Sequence, residues 1–280
     1  MPHPKLHIRR MKPDDLQLAI AWAGQEGWNP GLHDAEPFFA ADPQGFFIAE
    51  LDGEPVGTAS AVAYDDHYGF LGFYIVKEAQ RHLGIGTQLC DALLAYMGER
   101  SFGLDGVVSM VDKYVQQMGV SIAHNNARYE GIAKPADGTL EPISSVPFEE
   151  LERFDRRFFP APRPAFLRSW ISRPGSQGRI VTMNGQLAGY GVIRPCLRGY
   201  KIAPLFAETP EIAEHLFSAL AGLVAGQPVF LDIPVCNQAA LHLVERHQMR
   251  KVFETARLYR GAAPELPLEQ IYGITSFELG

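Results

Sequence analysis

Cysteine is scarce in this chain: Cys90, Cys196 and Cys236 stand far apart, odd in number and without Cys-x-x-Cys spacing. Neither a disulfide framework nor a zinc site is indicated, and the three read as buried thiols in a reducing compartment. Positive charge is also short, with 25 Lys and Arg against 32 Asp and Glu, a net charge of −7 and no basic run. Neutralising nucleic-acid phosphates requires clustered Lys and Arg, which argues against nucleic acid as a partner. No stretch approaches the ~18 consecutive apolar residues of a membrane helix, so no membrane partner is expected. Met1 to Pro13 carries Lys5, Arg9, Arg10 and Lys12 without the apolar segment of a signal peptide. These absences point to a cytoplasmic protein.

What is present is an ordinary globular composition, 46% hydrophobic and 20% charged over 280 residues, enough for a substantial core and two domains of common size. The most informative stretch is Phe70 to Met97. An apolar, β-branched and aromatic run, Phe70 to Val76, passes through Lys77-Glu78-Ala79-Gln80 into Arg81-His82-Leu83-Gly84-Ile85-Gly86; Ile85, Leu89, Leu93 and Met97 then recur at helical spacing. The order is strand, glycine-bearing turn, helix. Glycines at alternate positions bare the N–H groups of a first helical turn, where unpaired donors and the helix dipole favour an anion such as a pyrophosphate. A dinucleotide fingerprint would need a third glycine where Leu89 stands, and the Gly-Lys-Ser/Thr ending of a P-loop is missing.

Along the chain, Leu6 to Arg9 predicts a strand, and Lys12-Pro13-Asp14-Asp15 starts a helix carrying Leu16, Ile20 and Ala23. A short helix ends at Ala41, and Phe46 to Leu51 and Val56 to Tyr64 form a hairpin about Asp52-Gly53. After the central helix come a strand over Val107 to Val111, a helix over Asp112 to Met118 and a strand over Val120 to Arg128. Ala133 to Val146, rich in Pro, Gly, Ser and Asp, reads as a linker. Beyond it, strands at Ile180 to Met183 and Leu187 to Arg194 flank Asn184-Gly185, the strongest hairpin signal in the chain. A strand at Tyr200 to Ala207, a helix with Ile212, Leu216 and Leu220, a strand at Val229 to Ile233 and a helix over Asn237 to His247 follow, with Val252 to Tyr259 closing the sheet. The helix after Tyr200 to Ala207 opens on Glu208-Thr209-Pro210-Glu211, which sets carboxylates where a pyrophosphate would sit.

Arg-x-x-Gly-x-Gly directly after a strand resembles the acyl-CoA signature of the GNAT superfamily of N-acetyltransferases. The order of elements resembles that family's in the first half and, more loosely, in the second. GWNPGLHDAEPFF, HNNARYEG, GYGVIRPCLRGYKIAPLFAE and LPLEQIYGITSFELG resemble its two-lobed YitH-like group. The resemblance implies an α/β (α+β mixed) chain of tandem GNAT folds, each a mixed, mostly antiparallel sheet flanked by helices. It divides into an acetyl-CoA-binding domain at residues 1–133, a linker at 134–148 and a degenerate domain at 149–280. It further implies an N-acetyltransferase using acetyl-CoA, without metal, on a small-molecule amine, as a monomer or homodimer. The alternative is a CoA-binding sensor or interaction module that has lost catalysis.

Carried over, the cradle is Arg81, His82, Leu83, Gly84, Ile85, Gly86 and Thr87, acting through backbone amides, and the pantetheine strand ends at Ile75 and Val76. Backbone N–H at Tyr74 to Val76 is the oxyanion candidate. The family's acid is a tyrosine four residues before a Gly-Phe pair; here Tyr114 lies five before Gly119, Val115 holds the usual place and Val120 replaces the phenylalanine. That offset turns a helix by about 100°, so Tyr114 stands between an acid and a packing role; in the second half the corresponding residue is Val244. For the base, Asp65, Asp66 and His67 precede the signature strand, with a solvated turn as the alternative, and Glu50 is a similar carboxylate. Trp28, Asn29, His33 and Asp34 border the family's acceptor site, where an aromatic beside a carboxylate suits a cationic amine; a core Trp and a capping Asn are the alternative. Asp232 either faces the cleft or caps the sheet edge. His242 and Glu245, three apart on a helix, read as surface residues in the absence of further ligands.

Overall fold

The computed structural model describes residues 5–136 and 139–280; residues 1–4 of the expected first domain and Asp137 and Gly138 of the expected linker lie outside the described residues. The first half runs β1 (Leu6–Arg10), α1 (Pro13–Gln25), α2 (Ala35–Ala41), β2 (Phe46–Leu51), β3 (Glu54–Ala63), β4 (Tyr68–Val76), α3 (Ile85–Met97), β5 (Ser101–Val107), α4 (Val111–Met118) and β6 (Ser121–Ile132). The second runs β7 (Glu141–Pro142), α5 (Phe148–Asp155), α6 (Pro164–Ser172), β8 (Gln177–Met183), β9 (Gln186–Pro195), β10 (Tyr200–Ala207), α7 (Pro210–Gly222), β11 (Pro228–Pro234), α8 (Gln238–Arg246), β12 (Arg250–Arg260) and β13 (Ile271–Gly273). No helix among the described residues is long and apolar enough to cross a membrane.

Local chemistry accounts for most boundaries. Pro13 occupies the first turn of α1, and the Asp15 carboxylate accepts from the Lys12 N–H at 2.7 Å. Asn184 and Gly185 both take positive φ, 52° and 76°, as a two-residue turn between twisted strands requires. One expected strand is displaced: Val107 to Val111 is the end of β5, a 3-10 turn and the start of α4, whereas the strand is Ser101–Val107. Gly103 and Gly106 hid it, and an added Cβ at Gly106 would meet the Tyr114 ring at 2.5 Å.

The thirteen strands among the described residues form one sheet, ordered β1-β2-β3-β4-β5-β12-β6-β11-β10-β9-β8-β7, with β13 on β10. The expectation that Val252 to Tyr259 closes the second half's own sheet is corrected here. β12 lies between β5 and β6, pairing Leu258 with Leu104 and Thr255 with Asn126, while β6 pairs β11. The halves have exchanged strands. One core lies under α3, a second under α7 and α8, and a third, with Phe38, Phe73, Trp170 and Phe277, fills the seam between the halves. The expected burial of all three cysteines is corrected as well: Cys90 and Cys196 are buried, but Cys236 is exposed.

Candidate active site

β4 and β5 run parallel in register from Tyr68 opposite Ser101 to Leu71 opposite Leu104, where their pairing ends although both strands continue. On its other side, β4 carries a bulge. Thr58 faces Ile75 and Ser60 faces Gly72, so Phe73 and Tyr74 share the space opposite Ala59. Phe73 takes a φ of +48°, strained for a non-glycine residue, and is held by a hydrogen bond from Thr58 Oγ1 to its carbonyl at 3.0 Å. The splay and the bulge together leave the stretch Tyr74 to Val76 without a strand partner on the β5 side.

A cleft of about 580 Å³ opens there, lined by Tyr74, Ile75, Val76, Arg81, His82, Gly84, Gly86, Thr87, Lys113 and Tyr114. The first-turn N–H groups of α3, those of Ile85, Gly86 and Thr87, have no intrahelical acceptor. Gly84 caps the helix at φ 77° with nothing within 4 Å of an added Cβ, so its conformation, not space, demands glycine. Gly86 is there for the opposite reason. An added Cβ would sit 2.8 Å from Tyr74 Oη, which donates to the Gly86 carbonyl at 2.6 Å. Leu83 is exposed to solvent and the Ile85 side chain is buried in the core, and neither side chain lines the cleft. Arg81 is anchored by its bonds to the Val76 carbonyl at 3.0 Å and the Glu26 carboxylate at 2.7 Å. Donors, cations and a helix N-terminus converge here, the chemistry that holds a diphosphate.

Tyr114 lies where the cleft meets a smaller pocket of about 50 Å³, whose walls include Trp28, Gly72, Phe73, Phe253, Phe277 and Glu278. Burial pushes the Tyr114 hydroxyl up to about 12, so it stays protonated near neutrality.

Several expected residues lie elsewhere. Asp66 and His67 are exposed at the start of β4, roughly 25–30 Å along that strand from Val76; Asp66 reaches Arg100 at 3.5 Å and Asp65 accepts from the His67 and Tyr68 N–H groups. They form a solvated turn, not a base beside the cleft. Glu50 is bound to Arg9 at 2.6 Å. Trp28 does line both hollows, but Asn29 is spent on a two-way bond with the Arg198 main chain at 3.0 and 2.9 Å, and His33 is exposed.

Asp34 and Asp232 are corrected too: each is buried in an ion pair and neither lines the pocket. Asp34 accepts from Arg194 at 2.9 and 3.1 Å and lies 3.3 Å from Arg173. Burial works against its charge, but the two guanidinium groups outweigh it and hold the carboxyl at about 2. Asp232 accepts from Arg128 at 2.6 and 2.7 Å with Lys201 at 3.5 Å, and is likewise held at about 2 against its burial. His242 and Glu245 are exposed on α8. Among the described residues the equivalent gap of the second half is closed: β10 and β11 also part after Ile202 opposite Leu231, but β13 fills the space by pairing Leu205 with Gly273. Lys113 and Glu278 escaped sequence reasoning, as did the Tyr74 side chain, since only the fold brings them to the splay.

A model described as acetyltransferase (GNAT) family matches residues 14–117, and one described as acetyltransferase (GNAT) domain matches residues 151–273. The holothin acyltransferase of Pseudoalteromonas sp. (strain SANK 73390) is 31% identical over 271 residues, 95% of this chain and 92% of that protein. An uncharacterized N-acetyltransferase of Bacillus subtilis (strain 168), YitH, is 23% identical over 97% of each chain. Among solved structures, a putative acetyltransferase from Pyrococcus horikoshii superposes with a TM-score of 0.81 at 23% identity over 98% of this chain and 96% of its own. A tandem GNAT protein from the clavulanic acid biosynthesis pathway gives 0.63 at 12% identity over 93% and 100%. With a family match in each half, a near full-length acyltransferase relative and this splayed-strand site, the chain belongs to the GNAT superfamily of acyltransferases as a two-lobed member.

Proposed function

We propose that the protein transfers an acetyl group from acetyl-CoA to the primary amine of a small molecule, through its first lobe alone. The observation that carries this reading is the parting of β4 and β5 after Leu71 and Leu104, directly beside the bared first turn of α3. The residues present fit acetyl-CoA as cosubstrate: main-chain N–H groups of Ile85, Gly86 and Thr87 with Lys113 and Arg81 suit its phosphates, and the free edge of Tyr74 to Val76 suits an extended pantetheine. A main-chain donor at the bulge supports the thioester oxygen as it gains charge. Tyr114, protonated and at the junction of cleft and pocket, serves as the proton donor to the leaving sulfur. The small apolar pocket, walled by residues of both halves, favours a small acceptor over a protein chain.

The test combines calorimetry with acetyl-CoA and free-thiol release across amino acids, polyamines, aminoglycosides, aromatic amines and holothin, the acceptor named for the Pseudoalteromonas relative. Binding with thiol release on at least one small amine is expected. Binding without release from any would favour a CoA sensor. Tyr114→Phe is expected to lower kcat by about 100-fold while leaving acetyl-CoA affinity unchanged; an unchanged kcat would assign Tyr114 to packing.

A further inference from the structure

After β13 fills the gap of the second lobe, the chain turns back to the splay of the first. The Ile274 N–H bonds to the Asp232 carbonyl at 2.8 Å, Arg163 holds Thr275 Oγ1 at 3.1 Å, and Ser276 Oγ accepts from the N–H groups of Glu278 and Leu279 at 3.2 and 2.9 Å. Tyr64 Oη donates to the Leu279 carbonyl at 2.8 Å. The segment thus passes so close to the β4 bulge that an added Cβ at Gly72 would collide with the Glu278 carbonyl. Glu278 is 4% exposed, and its Oε1 has no hydrogen-bond partner among the described residues. A buried carboxyl with an oxygen left unpaired is costly, even with Lys201, Arg128 and Arg194 nearby, unless something arrives to bond it.

We infer that Glu278 receives the proton of the acceptor's amine, and that this acceptor is a primary amine on a small apolar body. The inference rests on the acyl-transfer reading of the same site. Glu278 shares its pocket with Asp105, but Asp105 is already taken by Arg257 at 3.0 and 2.5 Å and Asn126 at 2.7 Å. Glu278 alone of the two is free to meet an ammonium. The remaining lining is mostly apolar, with Trp28, Phe253 and Phe277 beside Leu71, Leu93 and Leu104; of its hydroxyls, Tyr74 already bonds the Gly86 carbonyl and Thr255 bonds Asp105, which leaves Tyr114, the proposed acid. About 50 Å³ admits the amine and a few attached carbons, since one water takes roughly 10–15 Å³ on this measure.

In the step, the Glu278 carboxylate removes one proton from the substrate ammonium and later passes it to solvent. The freed lone pair forms the C–N bond at the thioester carbonyl carbon. The C–S bond then breaks with its electron pair on sulfur, and the proton the nitrogen sheds on collapse ends on the thiolate through Tyr114. Burial raises the Glu278 carboxyl, while the nearby Lys201, Arg128 and Arg194 lower it and Asp34 raises it further, leaving a net upward shift that strengthens it as a base.

Glu278→Gln keeps the shape and removes the charge. We expect acetyl-CoA affinity unchanged, propylamine binding to the CoA-saturated protein weakened by about tenfold, and kcat/KM for propylamine lowered by about 100-fold, with the wild-type acid limb moved up toward the ionisation of the amine itself. Turnover or propylamine affinity within roughly threefold of wild type would overturn the role of Glu278. Should Glu278→Gln fail to melt cooperatively, the wild-type profile decides: kcat/KM that does not fall toward low pH overturns it, and Glu278→Asp must retain that limb at reduced kcat/KM. Wild-type protein that acetylates spermidine but not propylamine overturns the apolar acceptor and leaves acyl transfer standing. Indifference to acetyl-CoA overturns acyl transfer itself.

Discussion

Two glycines two residues apart do unlike work at the site. Gly84 supplies a left-handed backbone, whereas Gly86 supplies the absence of a methyl group against Tyr74 Oη. Gly86→Ala therefore overpacks a rigid spot, at about 1–3 kcal/mol, and tilts the first turn of α3 that the proposed cradle uses. Expected is a lower Tm with weaker acetyl-CoA binding, and partial recovery of both on adding Tyr74→Phe, which removes the atom the new methyl meets. Additive losses in the double variant would refute the contact. Leu89, where a dinucleotide site would carry glycine, lies fully buried on the core-facing side of α3.

The elements meeting at the seam are clasped by charge. Asp34 at the start of α2 holds Arg194 of β9, and Asp232 of β11 holds Arg128 of β6, which also donates to the Trp28 carbonyl. Removing one partner of such a pair strands the other charge in the core, so Asp34→Asn is expected to cost about 3–5 kcal/mol in urea denaturation. A loss under about 1 kcal/mol would mean that water already screens the pair. Both carboxyls sit at about 2 in the folded protein, below their unfolded value of roughly 3.9. Their contribution is full above pH ~4 and is lost as pH falls toward 2, because the unfolded chain then binds more protons. His124, held at about 4 by burial and by Arg257, adds an earlier decline between pH ~6.5 and 4 by the same sign. Tm measured from pH 8 to 2 should fall in those two stages; a flat curve down to pH 3 would contradict it.

Across the whole molecule, the strand exchange ties the fate of one lobe to the other. In residues 1–133 alone, β6 would lose both neighbours, β12 and β11, and β5 would present a bare edge. We expect that fragment to aggregate and to show no Tm shift with acetyl-CoA. Co-expression with residues 139–280 should restore a soluble complex that does shift. A monomeric fragment binding acetyl-CoA as the full chain does would show that the first lobe closes without its borrowed strand.

The sequence by itself determined whatever depends on neighbours along the chain: the hairpins at Asp52-Gly53 and Asn184-Gly185, the amphipathic α3, and the glycine turn whose bared amides mark the family. Such features are written in turn chemistry and apolar periodicity. Only the tertiary structure decided which carboxylates are free. Asp34 and Asp232 are consumed by arginines far away in sequence, Asp66 and His67 lie at the wrong end of a strand, and Glu278 reaches the site because a tail more than two hundred residues downstream of β4 packs on Gly72. Partners remote in sequence, which settle whether a charge is neutralised or exposed, leave no periodic trace to read.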